Sequence, residues 1–376
     1  MASDEEQAAF IEALLEGPSM EPPAGVDPNF DDPGGNHTIG YAIIILGSTL
    51  ATMAILLRLC SRVILKRIKI EDALFISALG LYAGHQYVFY EMSIFPGLWV
   101  HQWNFQLKNI SHISYNIHIG SVFYGLTIMC LKVGILLDWV RIFCPVGTRN
   151  AMLWISHVII WANIAFYGIG TMVELFQCTP REKIWNPLYE GGSCPMNMHA
   201  HNFASGIFNI ISDLVILAVP QSIIWKLQMS TSKRIGVSLL FTIGIFACAC
   251  AIARQVLINT LIRSDDVIYN ISSLGLWDVG EITAGFMIVG IPSLPQVVKK
   301  IPLTESVVSL VRVFTRSTHS DLHSTPKQEL PLWMKPRGQK APRHWDSIIT
   351  DEYNMSSVRS TDSTVGLRRN VEEVPQ

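Results

Sequence analysis

IGYAIIILGSTLATMAILLRL, residues 39–59, decides the class of fold to which this chain belongs. The stretch contains no acidic residue, and its one basic residue, Arg58, lies next to its end. As an α-helix, a segment of this length extends about 30 Å, which matches the hydrocarbon core of a bilayer. The stretch is therefore predicted to be a membrane-spanning helix.

More segments of similar length and apolar character follow along the chain. An α-helical bundle is favoured over a membrane β-barrel, because barrel strands alternate polar and apolar residues and these segments do not. The sequence therefore predicts an all-α, polytopic membrane bundle of seven transmembrane helices. The further segments are residues 73–95, 117–140, 152–176, 203–227, 235–262 and 271–298.

The composition of the whole chain agrees with a membrane protein. Of its 376 residues, 49% are hydrophobic and only 15% are charged, whereas soluble domains carry about 25% charged residues. The mean hydropathy is +0.33. The net charge of −2 does not favour nucleic-acid binding, so nucleic acid is excluded as a partner and a lipid bilayer is expected instead.

Basic residues in the loops set the expected orientation. The first loop contains Arg62, Lys66, Arg67 and Lys69, whereas residues 1–38 contain no Lys or Arg. The side that is richer in basic residues usually faces the cytoplasm. We therefore expect the N-terminus outside and the C-terminus in the cytoplasm.

Asn-X-Ser/Thr sequons at Asn36, Asn109 and Asn270 fall on the predicted outer side. Asn109 is the best candidate for a glycan, because its loop is the longest of the three. The chain ends without a retrieval signal. The plasma membrane is therefore the expected location.

The predicted helices divide the chain into four regions. Residues 1–38 form an acidic extracellular tail, and residues 39–300 form the transmembrane domain. Residues 301–316 are expected to form an amphipathic helix on the inner leaflet, since their apolar side chains share one side. Residues 317–376 are rich in Ser, Thr, Pro and charge, and are expected to be a disordered tail available to a cytoplasmic signalling partner.

Ionisable residues within the predicted helices are the candidates for a functional site. Such groups are costly in a bilayer and need partners or a water-filled cavity. From their depths we expect Lys132 to pair with Asp213, and Arg254 to lie close to Asp278 and Glu281. Two interpretations remain open: a polar cavity that binds a ligand or changes state, and structural salt bridges that fix helix register.

Two cysteines, Cys178 and Cys194, flank the second outer loop. The outer compartment is oxidising, so we expect a disulfide between them. The alternative is a pair of unrelated thiols near the membrane surface.

Several chemistries have no support in the sequence. It contains no glycine-rich phosphate loop, GxSxG elbow, HExxH helix or fixed metal-ligand spacing. No catalytic residue, metal or cofactor is therefore assigned, and the chain is not expected to be an enzyme. Retinal is disfavoured because Lys132, in the third predicted helix, is the only lysine deep in any of them.

Short motifs along residues 40–300 occur together in an order typical of one family. They are Arg58 with Glu71-Asp72, Gly125-Leu-Thr with Lys132 and Arg141-Ile-Phe, Phe176-Gln-Cys178-Thr-Pro180 with Trp185 and Cys194, Asn209-Ile-Ile-Ser-Asp213, Trp225-Lys-Leu-Gln-Met-Ser230, Arg254, Glu281 and Pro292-Ser-Leu-Pro295. Together they resemble the fungal rhodopsin-domain family of seven-helix membrane proteins. That family includes proteins of the satratoxin-cluster type and receptor-like pathogenicity proteins.

The resemblance implies a seven-helix bundle with the outer disulfide and without retinal. Some members of the family carry a cysteine-rich extracellular domain. The first cysteine of this chain is Cys60, so that domain is not expected here.

The sequence leaves three functions open. The leading hypothesis is a receptor-like or regulatory integral membrane protein that binds a small-molecule ligand and is tied to fungal secondary-metabolite (mycotoxin) biosynthesis. The second is a transporter or accessory protein that moves a small apolar metabolite. The third is a membrane-embedded biosynthetic enzyme that uses Asp213 or Glu281 as a buried acid. Seven helices, a disulfide-closed outer mouth and a long inner tail favour the first.

Overall fold

The computed structural model describes residues 4–66, 68–143, 151–186, 189–224 and 231–300. Within these ranges the regular secondary structure is entirely helical, without a named β-strand. The predicted all-α class is therefore confirmed. The amphipathic helix expected at 301–316 and the tail expected at 317–376 lie outside the described residues.

A short N-terminal helix, a set of long helices and a short final helix make up the described part of the chain. Each predicted segment coincides with a long helix, and only the last segment is divided, where a 3₁₀ turn containing Pro292 follows α8. Proline lacks the N–H that would continue the helical hydrogen bonds. The helices are α1 (Asp4–Glu16), α2 (His37–Ile64), α3 (Ile70–Ile94), α4 (Ile110–Phe143), α5 (Ala151–Leu175), α6 (Met198–Ile224), α7 (Thr231–Arg263), α8 (Val267–Gly290) and α9 (Leu294–Lys300).

Within the described residues, six helical stretches are long and apolar enough to cross a membrane. The remaining long helix, α3, has 25 residues but is less apolar, because its second half contains His85, Gln86 and three tyrosines. The chain is thus a multi-pass membrane protein with six candidate spans in the part described. They are His37–Ile64, Leu107–Ile142, Leu153–Leu175, Met198–Val219, Gly236–Arg263 and Val267–Val297.

Helix α4 occupies the centre of the bundle and packs against α3, α5, α6 and α8. Its side chains Ile128, Leu131 and Leu136 belong to the main apolar core. By contrast, α5 directs large apolar side chains outward, and Trp161 is 67% exposed and Ile169 65% exposed. An apolar outer surface of this kind suits contact with lipid rather than with water.

Two glycines allow close approach between helices. A Cβ atom at Gly290 would lie 2.6 Å from the Cα of Ala54, and one at Gly206 would collide with the side chain of Gln255. Small residues at such contacts let membrane helices pack tightly. These positions bring α8 against α2, and α6 against α7.

One end of the bundle is covered by the N-terminal segment and three loops. The N–H of Ser19 donates a hydrogen bond to the carbonyl oxygen of Phe105 at 2.8 Å, and the N–H of Asn36 donates to that of Leu98 at 2.9 Å. These bonds lay the N-terminal segment across the loop that follows α3. We call this end the disulfide face, formed by residues 17–36, 95–109, 176–186, 189–197 and 264–266.

A buried group of ion pairs joins α2, α3 and α4 at the opposite end. Arg58 donates to Asp72 at 2.8 Å and to both carboxylate oxygens of Asp138 at 2.5 and 2.9 Å. Arg62 lies at the edge of the group, 3.2 Å from Asp138 and 3.4 Å from Asp72. We call these four residues the basic-face cluster, since they adjoin the basic loop at residues 65–69.

Candidate functional site

The charged residues predicted as a polar core lie on four helices: Lys132 on α4, Asp213 on α6, Arg254 on α7, and Asp278 and Glu281 on α8. All except Asp213 are buried, and the side chain of Asp213 is only 13% exposed. Charged groups inside a membrane bundle require partners of opposite charge or hydrogen bonds. Their partners therefore define the chemistry of the bundle interior.

Lys132 is surrounded by acceptors from α6. Its Nζ atom lies 2.8 Å from Oδ1 of Asp213 and donates to Oγ of Ser212 at 2.7 Å. It also reaches the side-chain and backbone oxygens of Asn209, at 2.6 and 3.0 Å. An ammonium group has three N–H donors, so these acceptors satisfy it fully.

Asn209 connects Lys132 to α8. Its Oδ1 atom accepts a hydrogen bond from the hydroxyl of Tyr167 at 2.6 Å in addition to the bond from Lys132. Its Nδ2 atom donates to Oε1 of Glu281 at 2.7 Å, and Oε2 of Glu281 accepts from the hydroxyl of Tyr124 at 3.0 Å. Asn209 is fully buried. Water therefore does not compete for its bonds, which are stronger in such surroundings.

Arg254 lies near the carboxylates of α8 without a hydrogen bond to either. Its Nε atom is 3.5 Å from Oδ1 of Asp278 and 3.9 Å from Oε2 of Glu281. That Nε atom has no hydrogen-bond partner among the residues that the structure describes. The guanidinium carbon lies 4.3 Å from the centre of the Tyr124 ring, a cation–π contact.

These contacts form one continuous polar network from α4 to α8. The sequence predicts two separate groups of charges, and the structure joins them through neutral residues that sequence reasoning missed. One available signal was spacing, because Asn209 precedes Asp213 by four residues and therefore shares a face of α6 with it. We call the following residues the polar network: Tyr124, Lys132, Tyr167, Asn209, Asp213, Arg254, Asp278 and Glu281.

The polar network is better arranged to couple helices than to hold an ion. Among the described residues, no group of three His, Cys, Asp or Glu side chains could bind a metal. The network does, however, connect side chains of α4, α5, α6, α7 and α8. Moving one of these helices must therefore break or remake bonds to its neighbours.

A cavity lies beside the polar network, between α4, α5, α6 and α7. Its volume is about 60 Å³, which is room for about two water molecules. Tyr124, Tyr167 and Arg254 of the polar network form its floor. Glu174 and His201 also line it, and both are close to the ends of α5 and α6 at the disulfide face.

The predicted disulfide between Cys178 and Cys194 is present, so that prediction is confirmed. Next to it, Thr179 and Ser193 exchange two backbone hydrogen bonds, at 2.9 and 3.0 Å. The bridge and this pair hold the two ends of the loop after α5 together at the disulfide face.

The predicted glycosylation sites lie at the same face and stay predictions. Asn36 caps the start of α2 with its side chain. Asn109 ends the turn that precedes α4. The side-chain amide of Asn270 already donates to the carbonyl oxygen of Asp266 at 2.7 Å. The same nitrogen donates to Oγ of Ser264 at 3.1 Å. A glycan replaces one of its two N–H donors, so one of these bonds would be lost, and Asn109 is the better candidate.

Comparison with known proteins gives one family and several relatives. The fungal rhodopsin domain matches residues 57–300. The fugralins biosynthesis cluster protein 2 of Gibberella zeae is 33% identical over 362 residues, which cover 95% of this chain and 89% of that protein. A SAT4 family membrane protein of Emericella nidulans is 31% identical over 246 residues, covering 65% of this chain and 60% of that protein.

A third relative is more distant. The polyenoic acids biosynthesis gene cluster protein Ba17b of Metarhizium anisopliae is 28% identical over 125 residues, which cover 33% of each chain. No solved structure matches this chain.

Proposed function

This chain belongs to the fungal rhodopsin domain family, and from that premise we propose that it is a receptor-like regulator of secondary metabolism that responds to a small-molecule ligand. The names of two relatives refer to biosynthesis clusters, for fugralins and for polyenoic acids. Those names support a place in this branch of metabolism. The proposed role is regulatory rather than catalytic, with a cytoplasmic signalling partner contacting the inner loops and residues 301–376.

One observation carries this proposal: the cavity and the polar network share residues. Tyr124, Tyr167 and Arg254 belong to both. A ligand in the cavity would therefore contact side chains whose bonds extend to Asn209 on α6 and Glu281 on α8. A ligand that binds one arrangement of these helices more tightly than another shifts the population between them.

We also propose that α3 is a seventh span, that the N-terminus lies outside and that the protein resides in the plasma membrane. Asp72, near the start of α3, belongs to the basic-face cluster, and the loop after α3 contributes Leu98 to the disulfide face. Helix α3 is about 37 Å long, which is enough to span the hydrocarbon core. The basic residues of loop 65–69 favour the cytoplasm for that end.

Cysteine labelling tests this topology. Ile68 and Lys108 are exposed on either side of α3. We expect a membrane-impermeant maleimide to label Lys108→Cys in intact cells, and to label Ile68→Cys only after permeabilisation. The unmodified protein gives the background from Cys60, which is exposed. Equal labelling of the two positions would show that α3 does not cross the membrane, and the reverse pattern would place the N-terminus inside.

Metabolite profiles of cells and medium test the function. We expect a deletion strain to change its total secondary-metabolite output while the ratio between cells and medium stays constant. The wild-type gene should restore the output, and Glu281→Gln should not, because Gln removes the charge that accepts bonds from Asn209 and Tyr124. Glu182→Gln, at an exposed loop position, is the matched control and should restore it fully.

Other profiles would contradict the proposal. A compound that accumulates inside cells at constant total output would identify a transporter, and a stalled intermediate would identify an enzyme. If the Glu281→Gln variant is as abundant as the wild type and gives the wild-type metabolite profile, the polar network has only a structural role.

A further inference from the structure

The short helix α1 has an exposed apolar side. Phe10, Ile11 and Leu14 are all exposed, and Phe10 is 70% exposed. Leu14 follows Phe10 by four residues and Ile11 by three, so the three side chains share one side of the helix. Glu12 and Glu16 lie on the other side. Exposed apolar side chains that are grouped in this way mark a surface for contact with another apolar surface.

Hydrogen bonds fix the end of α1 at the start of a candidate membrane span. The N–H of Leu107 donates to the carbonyl oxygen of Gly17 at 3.0 Å. The side-chain amide of Gln106 donates to the carbonyl oxygen of Glu16, the last residue of α1, at 3.4 Å. Leu107 is the first residue of the candidate span Leu107–Ile142. The last turn of α1 therefore lies at the level where the chain enters the membrane.

Aromatic side chains mark the same level as a membrane surface. Tyr90, near the end of α3, and Tyr115, near the start of α4, are both exposed, and tyrosine is enriched where spans meet the lipid head groups. Phe95, which is also exposed, packs on Phe105 with the ring centres 5.4 Å apart. The carbonyl oxygen of Phe105 in turn accepts the bond from Ser19. The residues that follow α1 are therefore joined to this aromatic belt.

We propose that α1 lies in the lipid interface next to the disulfide face, with Phe10, Ile11 and Leu14 among the acyl chains of zwitterionic lipids. Helix α1 contains five acidic residues and no basic residue, so anionic head groups would repel it. Its binding therefore depends on the burial of apolar side chains rather than on charge. This contact goes beyond the proposed function and does not depend on it.

The position of α1 favours lipid over a protein partner. Among the described helices and turns, α1 packs chiefly against the turn Leu107–Asn109, so most of its length is available to lie along the bilayer. Phe10 precedes the end of α1 by six residues, about 9 Å along the helix. Its side chain therefore stays close to the lipid that surrounds the aromatic belt. The lipid contact would also hold residues 17–36 across the disulfide face.

Spin labels measure the depth of each side of α1. An apolar nitroxide is attached to Phe10→Cys, or to Glu12→Cys on the other side, in the full chain in phosphatidylcholine nanodiscs. Oxygen concentrates among acyl chains, whereas a nickel chelate stays in water. We expect the ratio of the oxygen effect to the nickel effect to be at least about threefold higher at Phe10→Cys, because an interfacial helix buries its apolar face about 5–10 Å deep. Cys60, which is exposed, is replaced by serine in every sample, and the chain without an added cysteine gives the background.

Two further comparisons test apolar burial and charge. With the label at Phe10→Cys, Ile11→Glu should lower the ratio to the value at Glu12→Cys. Ala13→Glu adds the same charge at an exposed position outside the apolar side and should leave the ratio unchanged. In phosphatidylglycerol nanodiscs at low ionic strength the ratio at Phe10→Cys should fall, and added salt should restore it, because salt screens the repulsion between the acidic helix and the head groups.

Three results would overturn the proposal. Equal ratios at Phe10→Cys and Glu12→Cys in phosphatidylcholine would place α1 in water. Low access of both oxygen and nickel at Phe10→Cys would show that protein covers the apolar side. A ratio that rises in phosphatidylglycerol would identify anionic lipid as the partner. None of these results involves the metabolite profiles, so the regulatory role stands or fails separately.

Discussion

Replacing Arg58 with methionine is expected to lower the free energy of unfolding by about 3–5 kcal/mol, because it removes the buried partner that donates hydrogen bonds to two buried carboxylates. Arg58 is 4% exposed and donates hydrogen bonds to Asp72 and Asp138, which are also buried. Purified protein, heated in steps and analysed by size-exclusion chromatography, should lose its monodisperse peak roughly 10 °C below the wild type.

Arg62→Gln is the matched control for this prediction. Arg62 contacts the same two carboxylates at 3.4 and 3.2 Å, but its side chain is 22% exposed. A partly exposed ion pair contributes at most about 1 kcal/mol. Equal shifts for Arg58→Met and Arg62→Gln would contradict the assignment of Arg58 as the central cation of the basic-face cluster.

Lys132→Met should destabilise the bundle by a similar amount, about 3–5 kcal/mol, because it removes one partner of a buried ion pair. Asp213 would then keep its charge in the interior with its nearest cation gone. Adding Asp213→Leu should recover much of the loss, since replacing both partners by apolar residues is far less costly than replacing one. The same heating experiment measures the wild type, both single variants and the double variant.

Asp213→Leu alone serves as a control for this prediction, because Lys132 also forms hydrogen bonds with neutral groups. In Asp213→Leu alone, Lys132 keeps acceptors on Asn209 and Ser212, so this variant should be less destabilised than Lys132→Met. Lys108→Met, at an exposed position, should leave stability unchanged. Additive losses in the double variant would mean that Lys132 and Asp213 do not interact energetically.

The depth of a residue along its helix could be predicted from the sequence. The neighbouring helix that its side chain faces could not. Each residue adds 1.5 Å of depth, so the pairing of Lys132 with Asp213 followed from counting residues within two apolar segments. Counting does not give the partner of Asp138, which lies on the same helix as Lys132 but binds Arg58, 80 residues away. That contact depends on which faces of α2 and α4 meet.

Contacts made by neutral side chains and by the backbone were even harder to predict from the sequence. Charged residues in an apolar segment are rare and attract attention, whereas an asparagine such as Asn209 is ordinary in such a segment. The N-terminal segment is held by backbone bonds, for example from Ser19 to Phe105, and these do not require particular side chains. The disulfide was predictable because Cys178 and Cys194 alone flank an outer loop.

The side-chain amide of Asn209 joins two different halves of the polar network, one at its oxygen and one at its nitrogen. Its oxygen accepts from Lys132 and Tyr167, and its nitrogen donates to Glu281. Half a rotation of this amide would set its NH₂ group against two donors and its oxygen against a carboxylate, so a single orientation satisfies both neighbours. The cationic and the acidic halves of the interior therefore change partners together. We therefore expect a change in the bonds of one half to alter the bonds of the other half.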